Sequence, residues 1–550
     1  MQSRTGGRLI VEALCEHGVD RVFCVPGESF LEVLDALHDQ PQIDLVVAKH
    51  EGAAANMAEA DGKLSGKPGI CMVTRGPGAT HASIGVHIAQ QDSTPMILMI
   101  GQVALAHRER EAFQEVDYQQ MFGGMAKWVV EVDDVDRIPE LMARAFQLAV
   151  SGRPGPVVMS MPEDVLSQLS SVKSCKSIPT TPVGLPAKAL GEIEQMLATA
   201  QRPLLLLGGA NWSEQGVEQL RQFVHSWNLP VAASFRRQDL LDNRDPHYVG
   251  HLSLGMNPAL AKHMQEADLI IALGTRLGDV PTDAYTLLSV PKPAQKLIHI
   301  HADPSELGRV YQADLAVAAQ PCEALSDLIT MPVPDTLPWS QWTKQARSHL
   351  ESFRDWQYSD ETLAPQGVDM TVAVRHLNQI LPADSILTNG AGNYSVWVHR
   401  FYEYKQYRTE LAPVCGAMGY GLPAAVAAAK RYPERTVICF AGDGCFLMYP
   451  QEIVTAVEHG LNLIVIVVNN GMYGTIRMHQ ERSHPGRISG TNLQGPDFVA
   501  LAQACGAQAE KVVCSEDFAP AFERAQKQGG VTLLELAVDP LQITPQLRLS

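Results

Sequence analysis

Paired cysteines are missing from this chain. Its ten cysteines include no Cys-x-x-Cys and no Cys/His cluster at zinc spacing, which excludes a zinc ribbon or a thioredoxin-type motif. Cys15, Cys71 and Cys439 sit among apolar residues, where a free thiol serves as a small hydrophobe. That usage suits a reducing compartment. No run of Lys and Arg exceeds two residues, and the formal net charge is -17 at pH 7. A chain of that sign without basic clusters is not built for nucleic acid or an acidic membrane surface. No apolar stretch approaches the ~20 residues of a membrane span. The amino-terminal MQSRTGGRLIVEALCEHG reads as an amphipathic helix and has no signal-type apolar region. A cytoplasmic protein is expected.

What is present is a repeated alternation of short apolar runs and helical patterns over 550 residues, too many for one core. Val22 to Val25, Leu45 to Ala48, Ile70 to Thr74 and Met96 to Ile100 read as strands in the first part. Leu204 to Leu207, Leu269 to Leu273 and Leu297 to Ile300 do so in the middle. Ile386 to Thr388, Thr436 to Ala441 and Leu461 to Val468 follow. Such runs separated by helices indicate parallel sheets covered on both faces. A Ser/Pro/Thr-rich stretch at 167–187 and a Pro-rich one at 331–338, with a second break near Ala364-Pro365-Gln366-Gly367, mark the connections. The expected architecture is α/β, three doubly wound parallel-sheet domains at 1–170, 185–335 and 360–550.

Two turns carry the chemistry. Gly442-Asp443-Gly444 closes the run Thr436 to Ala441, and Asn469-Asn470 closes Leu461 to Val468. Between them Ile453, Val454, Ala456 and Val457 have helical spacing. A right-handed β-α-β crossover makes the two strands parallel, so Asp443 and Asn470 meet at one sheet edge. A carboxylate, an amide oxygen and a nearby carbonyl suit Mg²⁺ or Ca²⁺. Two side chains do not fill an octahedron, so phosphate oxygens and water must complete it. Alone, each tripeptide is ordinary turn chemistry; together they match the metal-diphosphate signature of thiamine diphosphate (ThDP) enzymes.

The rest of the chain resembles the same superfamily. His50-Glu51-Gly52 opens an Ala-rich helix, where such enzymes place the glutamate that engages the cofactor's pyrimidine ring. Phe23-Cys24-Val25-Pro26-Gly27, Arg75-Gly76-Pro77-Gly78-Ala79-Thr80 and Ala112-Phe113-Gln114-Glu115 resemble its first-domain loops. Gly390-Ala391-Gly392-Asn393, Gly416-Ala417-Met418-Gly419-Tyr420-Gly421 and Gly442-Asp443-Gly444-Cys445 resemble its diphosphate-side segments. The family most similar is the catalytic (large) subunit of acetolactate synthase, and the resemblance runs from about residue 5 to 545. It implies pyrimidine-binding, middle and diphosphate-binding domains. It implies ThDP and Mg²⁺, with Asp443, Asn470 and the Met472 carbonyl on the metal. Glu51 is the activating acid, and Gly27, Gly392, Asn393, Met418, Gly442, Gly444 and Cys445 cradle the cofactor. Gln114, Glu28 and His479 line the reacting end. The implied reaction is decarboxylation of a pyruvate-like 2-oxo acid with transfer of the acyl carbanion to a carbonyl acceptor. The implied assembly is a homodimer or homotetramer with sites at the subunit interface. In the middle domain Gly208-Gly209-Ala210, Gly255-Met256 and His299-Ile300-His301-Ala302-Asp303 resemble a flavin site. They leave open a bound FAD or an empty, vestigial site.

Four departures bear on the substrate. Gly274-Thr275-Arg276-Leu277-Gly278-Asp279-Val280 ends in Val280 where those synthases carry an arginine for the acceptor's carboxylate. His479 replaces a tryptophan of the acceptor pocket. Glu28 follows Pro26-Gly27 where the synthases have glycine, and either acts as a general acid or is a solvated helix-start residue. His81 replaces an asparagine and reads as a hydrogen-bonded neighbour of the site or as a proton donor. The alternative function is therefore a non-ligating 2-oxo acid decarboxylase or an aldehyde carboligase/lyase.

Overall fold

The computed structural model describes residues 3–178, 180–358 and 365–549. Three six-stranded sheets, each parallel throughout, form the frame. The first runs in the order Asp44–Val47, Arg21–Cys24, Gly69–Val73, Met96–Gln102, Pro156–Pro162, Trp128–Glu131. The third runs Glu410–Leu411, Ile386–Asn389, Val437–Gly442, Leu463–Asn469, Val531–Ala537, Gln508–Val512. Counted in chain order within each unit, both are 2-1-3-4-6-5. The middle sheet has Tyr248–Leu252, Val231–Ser234, Pro203–Leu207, Leu269–Leu273, Lys296–His301, Leu315–Ala318, which is 3-2-1-4-5-6. In each, the strand order reverses beside the first strand, and ligands bind outside the carboxyl ends at that point.

The sequence explains why these are sheets. Met96–Gln102 and Pro156–Pro162 are buried at every residue, as are Pro203–Leu207 and Leu269–Leu273. A strand covered by helices on both faces needs apolar side chains at every position, not at alternate ones. Val437–Gly442 and Leu463–Asn469 pair in parallel, with Gly442 opposite Val468. The crossover expected between them is there, as the short helix Asp443–Phe446 and the helix Glu452–Glu458. The 167–187 stretch contributes the two-residue strand Leu169–Ser170, paired with Arg4–Thr5, and among the described residues no further regular element before the helix Ala187–Thr199. Positions 360–364, the expected start of the third unit, lie outside the described residues.

The first and third units share one apolar core. The helix Glu51–Ser65 packs on Gly421–Arg431, and their alanines, Ala53 to Ala55 and Ala424 to Ala429, are buried. Ionic contacts fix the register. Arg431 grips Asp61 with Nε at 2.6 Å and Nη2 at 2.8 Å, a bidentate pair. Glu59, wholly buried, accepts from Thr94 Oγ1 and the Tyr420 hydroxyl. The middle unit is tied in by Arg236, whose guanidinium donates to Gly390 O at 3.0 Å and to Pro413 O.

Candidate functional site

A cavity of about 800 Å³ opens where the third sheet meets the middle one. Gly392, Asn393, Met418, Gly442, Asp443, Gly444, Cys445, Asn470 and Met472 all line it. The apolar strands Val437–Gly442 and Leu463–Asn469 end at the same height, so the turn after each delivers its oxygen to one place. Asp443 is only 3 % exposed. Its Oδ1 accepts the Gly444 N–H at 2.7 Å and its Oδ2 the Gly471 N–H at 2.8 Å. Burial pushes its carboxyl above the ordinary range, against the opposing pull of these backbone donors. A buried carboxylate that still costs free energy to ionise is improved by a cation. Asn470 Oδ1 accepts from Met472 N at 3.2 Å, and Met472 O accepts from Gly474 N at 3.0 Å. Each of these oxygens has a second lone pair. Three hard oxygen donors on one wall, with room beyond them, fit Mg²⁺ with a diphosphate. The glycines are needed: a Cβ at Gly444 would stand 2.5 Å from the Tyr473 ring.

The candidates of the first unit lie elsewhere. Glu51, Gly27, Glu28 and Gln114 do not line this cavity. They gather instead around Thr74 to Gly78, the turn after the strand Gly69–Val73. A Cβ at Gly27 would lie 2.5 Å from Thr74 Cβ, and one at Gly76 would lie 2.7 Å from Gln114 O. A Cβ at Gly78 would lie 3.7 Å from Glu51 Oε1. Arg75 Nη2 donates to Glu28 Oε1 at 2.8 Å, and Arg75 Nη1 to Glu163 Oε2 at 3.2 Å. Gln114 holds a positive φ of 65°, and the Tyr118 hydroxyl accepts from Gly76 N at 2.9 Å.

Glu51 heads its helix because His50 caps it: His50 Nδ1 accepts the Gly52 N–H at 3.0 Å. Burial, with His81 alongside, lowers the basicity of His50. Glu51 Oε2 lies 2.8 Å from His81 Nδ1, and His81 is half exposed. Single chains therefore present two separate candidate half-sites. One is a cavity walled by hard oxygen donors; the other is a largely buried acid with its supporting loops.

His479 is exposed on the helix Gly474–Ser483, outside the cavity. Thr475 and Ile476, one turn earlier, line the cavity, and Thr475 Oγ1 donates to Asn393 Oδ1 at 2.9 Å. Two contributors gave no signal in the sequence pattern, and for a third, Arg75, the loop was read but not its partners Glu28 and Glu163. Tyr394 accepts the Gly390 N–H through its hydroxyl at 3.1 Å; Arg236 and Arg75 act through contacts distant in sequence.

The cavity extends to the switch point of the middle sheet through Gly209, Ser234, Thr275, Arg276 and Val280. Gly209 and Gly274 have φ of 69° and 73°, and a Cβ on Gly209 would lie 2.0 Å from Gly274 O. Arg153 and Arg276 converge on the buried Glu306, and Arg276 Nε has no hydrogen-bond partner. A crevice between two glycine turns with guanidinium donors at hand fits a dinucleotide.

Three family models match successive parts of the chain. Residues 4–121 match the thiamine pyrophosphate enzyme N-terminal TPP binding domain, 190–328 its central domain and 390–536 its C-terminal TPP binding domain. Acetolactate synthase isozyme 2 large subunit of Escherichia coli is 31% identical over 542 residues, 98% of this chain and 96% of the relative. The acetolactate synthase large subunit of Corynebacterium glutamicum is 31% identical, covering 95% and 85%. A probable acetolactate synthase large subunit of Methanocaldococcus jannaschii is 29% identical, covering 98% and 93%.

Proposed function

The chain belongs to the thiamine pyrophosphate enzymes, and from that premise we propose how its two half-sites act. It is a ThDP-dependent enzyme resembling acetolactate synthase catalytic subunits. It decarboxylates a 2-oxo acid of the pyruvate type and passes the acyl unit to a carbonyl acceptor. When bound, ThDP supplies a thiazolium carbon that adds to the 2-oxo carbonyl and takes up the electron pair left by CO₂.

The protein's own groups do the rest. Asp443, Asn470 and the Met472 carbonyl hold Mg²⁺, and the metal neutralises the diphosphate. Gly392, Asn393, Gly444 and Cys445 bound the diphosphate end, and Met418 props the cofactor from the cavity wall. Glu51 holds a proton against the aminopyrimidine ring. His81 fixes Oε2 of Glu51, which leaves Oε1 for that contact. Glu28, steadied by Arg75, and Gln114 border the reacting end. His479 stands beyond it, exposed on the helix Gly474–Ser483.

Glu51 is outside the Asp443 cavity of its own chain. A second copy must therefore bring its Glu51 face to the first copy's cavity, which makes the active unit a homodimer or a dimer of dimers. The middle crevice holds FAD as a non-reacting ligand. The observation that carries the whole reading is the convergence of Asp443, Asn470 and Met472 on one cavity wall.

A second reading, an aldehyde carboligase or simple decarboxylase, is favoured by the cavity's cations. Among the described residues the wall has three guanidinium groups, and each already has a partner, though its Nε keeps no hydrogen bond: Arg236 with Gly390 O and Pro413 O, Arg237 beside Asp239, Arg276 with Gln91 O and near Glu306. Val280 next to them is apolar. Product analysis by NMR with ThDP, Mg²⁺ and pyruvate decides. Acetolactate establishes the synthase; acetaldehyde alone, or a ketol only when an aldehyde is added, establishes the second reading. Absence of any ThDP-dependent CO₂ release from a panel of 2-oxo acids overturns both.

A further inference from the structure

Three ligand-bearing side chains converge away from the cofactor cavity, at the amino end of the middle sheet. The cavity meets the carboxyl end of the strand Val231–Ser234 at Ser234, whereas Val231 N donates to His247 O at the other end. There His225 closes the last turn of the helix Glu214–Trp227, and Asp245 and His247 lie in the turn before Tyr248–Leu252. His225 Nε2 stands 2.6 Å from Asp245 Oδ2, and His247 Nδ1 stands 2.9 Å from Asp245 Oδ1. One ligand atom from each residue lies within 4.8 Å of the other two. We propose that His225, Asp245 and His247 form a binding site for one transition-metal dication, with Zn²⁺ the best-suited ion.

The donor set is right for it: two imidazoles and a carboxylate, with a fourth position open to water. Ligand atoms on a tetrahedral zinc stand about 3.3 Å apart for bonds of ~2.0 Å, against 2.6 and 2.9 Å from each imidazole to the carboxylate here. His225, half exposed at its helix end, is the residue placed to move. The orientation of His247 is the stronger argument. Ser340 Oγ donates to Leu337 O, so its lone pair accepts from Asn228 Nδ2 at 3.0 Å. That turns Asn228 Oδ1 toward His247 Nε2, also at 3.0 Å, and puts the ring proton on Nε2. Metal-bound histidines are held in this way by an acceptor on the far nitrogen. Nδ1 then faces a carboxylate oxygen at 2.9 Å, a place filled by a proton on the ring or by a metal ion. The other such trio, His50, Glu51 and His81, differs. There the His50 Nδ1 lone pair is spent on the Gly52 N–H, and Glu51 belongs to the cofactor half-site.

Cobalt(II) titration of the metal-stripped protein, with ThDP and Mg²⁺ kept saturating so that the Asp443 site is filled, tests this. One equivalent of Co²⁺ should bind with the intense visible bands of four-coordinate cobalt, and Zn²⁺ should bleach them. His225→Ala and His247→Ala should each abolish the bands, while 2-oxo acid turnover stays at the wild-type rate in His225→Ala. The same Zn²⁺ should raise the melting temperature of the wild type but not of His225→Ala. Weak, six-coordinate cobalt spectra, or bands that survive both substitutions, would overturn the proposal.

Discussion

On the proposed function, cofactor activation turns on the contact between Glu51 and His81. His81 occupies one carboxylate oxygen of Glu51, so the acid presents a single oxygen in a fixed direction. Glu51→Gln keeps the shape and a hydrogen bond but cannot carry a negative charge. We expect turnover to fall by roughly 10² to 10⁴-fold, the usual weight of one positioned proton-transfer group. ThDP should still bind, because Asp443 and Asn470 are untouched. Hydrogen–deuterium exchange at the bound thiazolium carbon should slow in parallel, and unchanged exchange would remove Glu51 from this role. At this scale the sequence was informative wherever a polar turn closes an apolar strand, as at Asp443 and Asn470. It said nothing of Arg236 or Tyr394, whose partners Pro413 and Cys445 lie 177 and 51 positions away. Such contacts are set by packing, and no local pattern encodes them.

Glu452 shows how elements are held in register. It heads the helix Glu452–Glu458, is fully buried, and accepts the Lys49 N–H at 3.1 Å. It thereby fastens the segment just before Glu51 to the third unit. Burial, offset by bonds from Thr455 and Lys49, pushes its carboxyl up to about 7 from the ordinary 4.5. The folded protein then keeps a proton that the unfolded chain releases. Stability from this group is greatest below about pH 4.5 and is lost as pH rises to about 7, by at most about 3 kcal/mol. Glu452→Gln should flatten that slope: its melting temperature should match the wild type near pH 5 and exceed it at pH 8. Equal slopes in the two proteins would mean that Glu452 ionises freely in the fold. The strands that were legible are mostly those buried on both faces, such as Leu269–Leu273. Of the six edge strands only Asp44–Val47 was legible, and the buried interior strands Pro156–Pro162, Val231–Ser234 and Val531–Ala537 were missed. Gln508–Val512 carries Glu510 and Lys511, Leu315–Ala318 is four residues long, and Glu410–Leu411 is only two. Strands this short or this polar leave no periodic signal and are set by the neighbour they pair with.

At the scale of the molecule, the first and third units share a strand order and a core, and on the proposed function each contributes half of a site that one chain does not complete. The most direct test is complementation between two inactive variants, Glu51→Gln and Asp443→Asn, co-expressed with different tags. If each site takes Glu51 from one copy and Asp443 from the other, a hybrid dimer has one intact site and one doubly damaged site. Random pairing then returns about a quarter of wild-type activity, and purified hybrids about half. If Glu51 and Asp443 of the same chain serve the same site, every site in the mixture carries one lesion. Activity would stay at the level of the separate variants, contradicting the account.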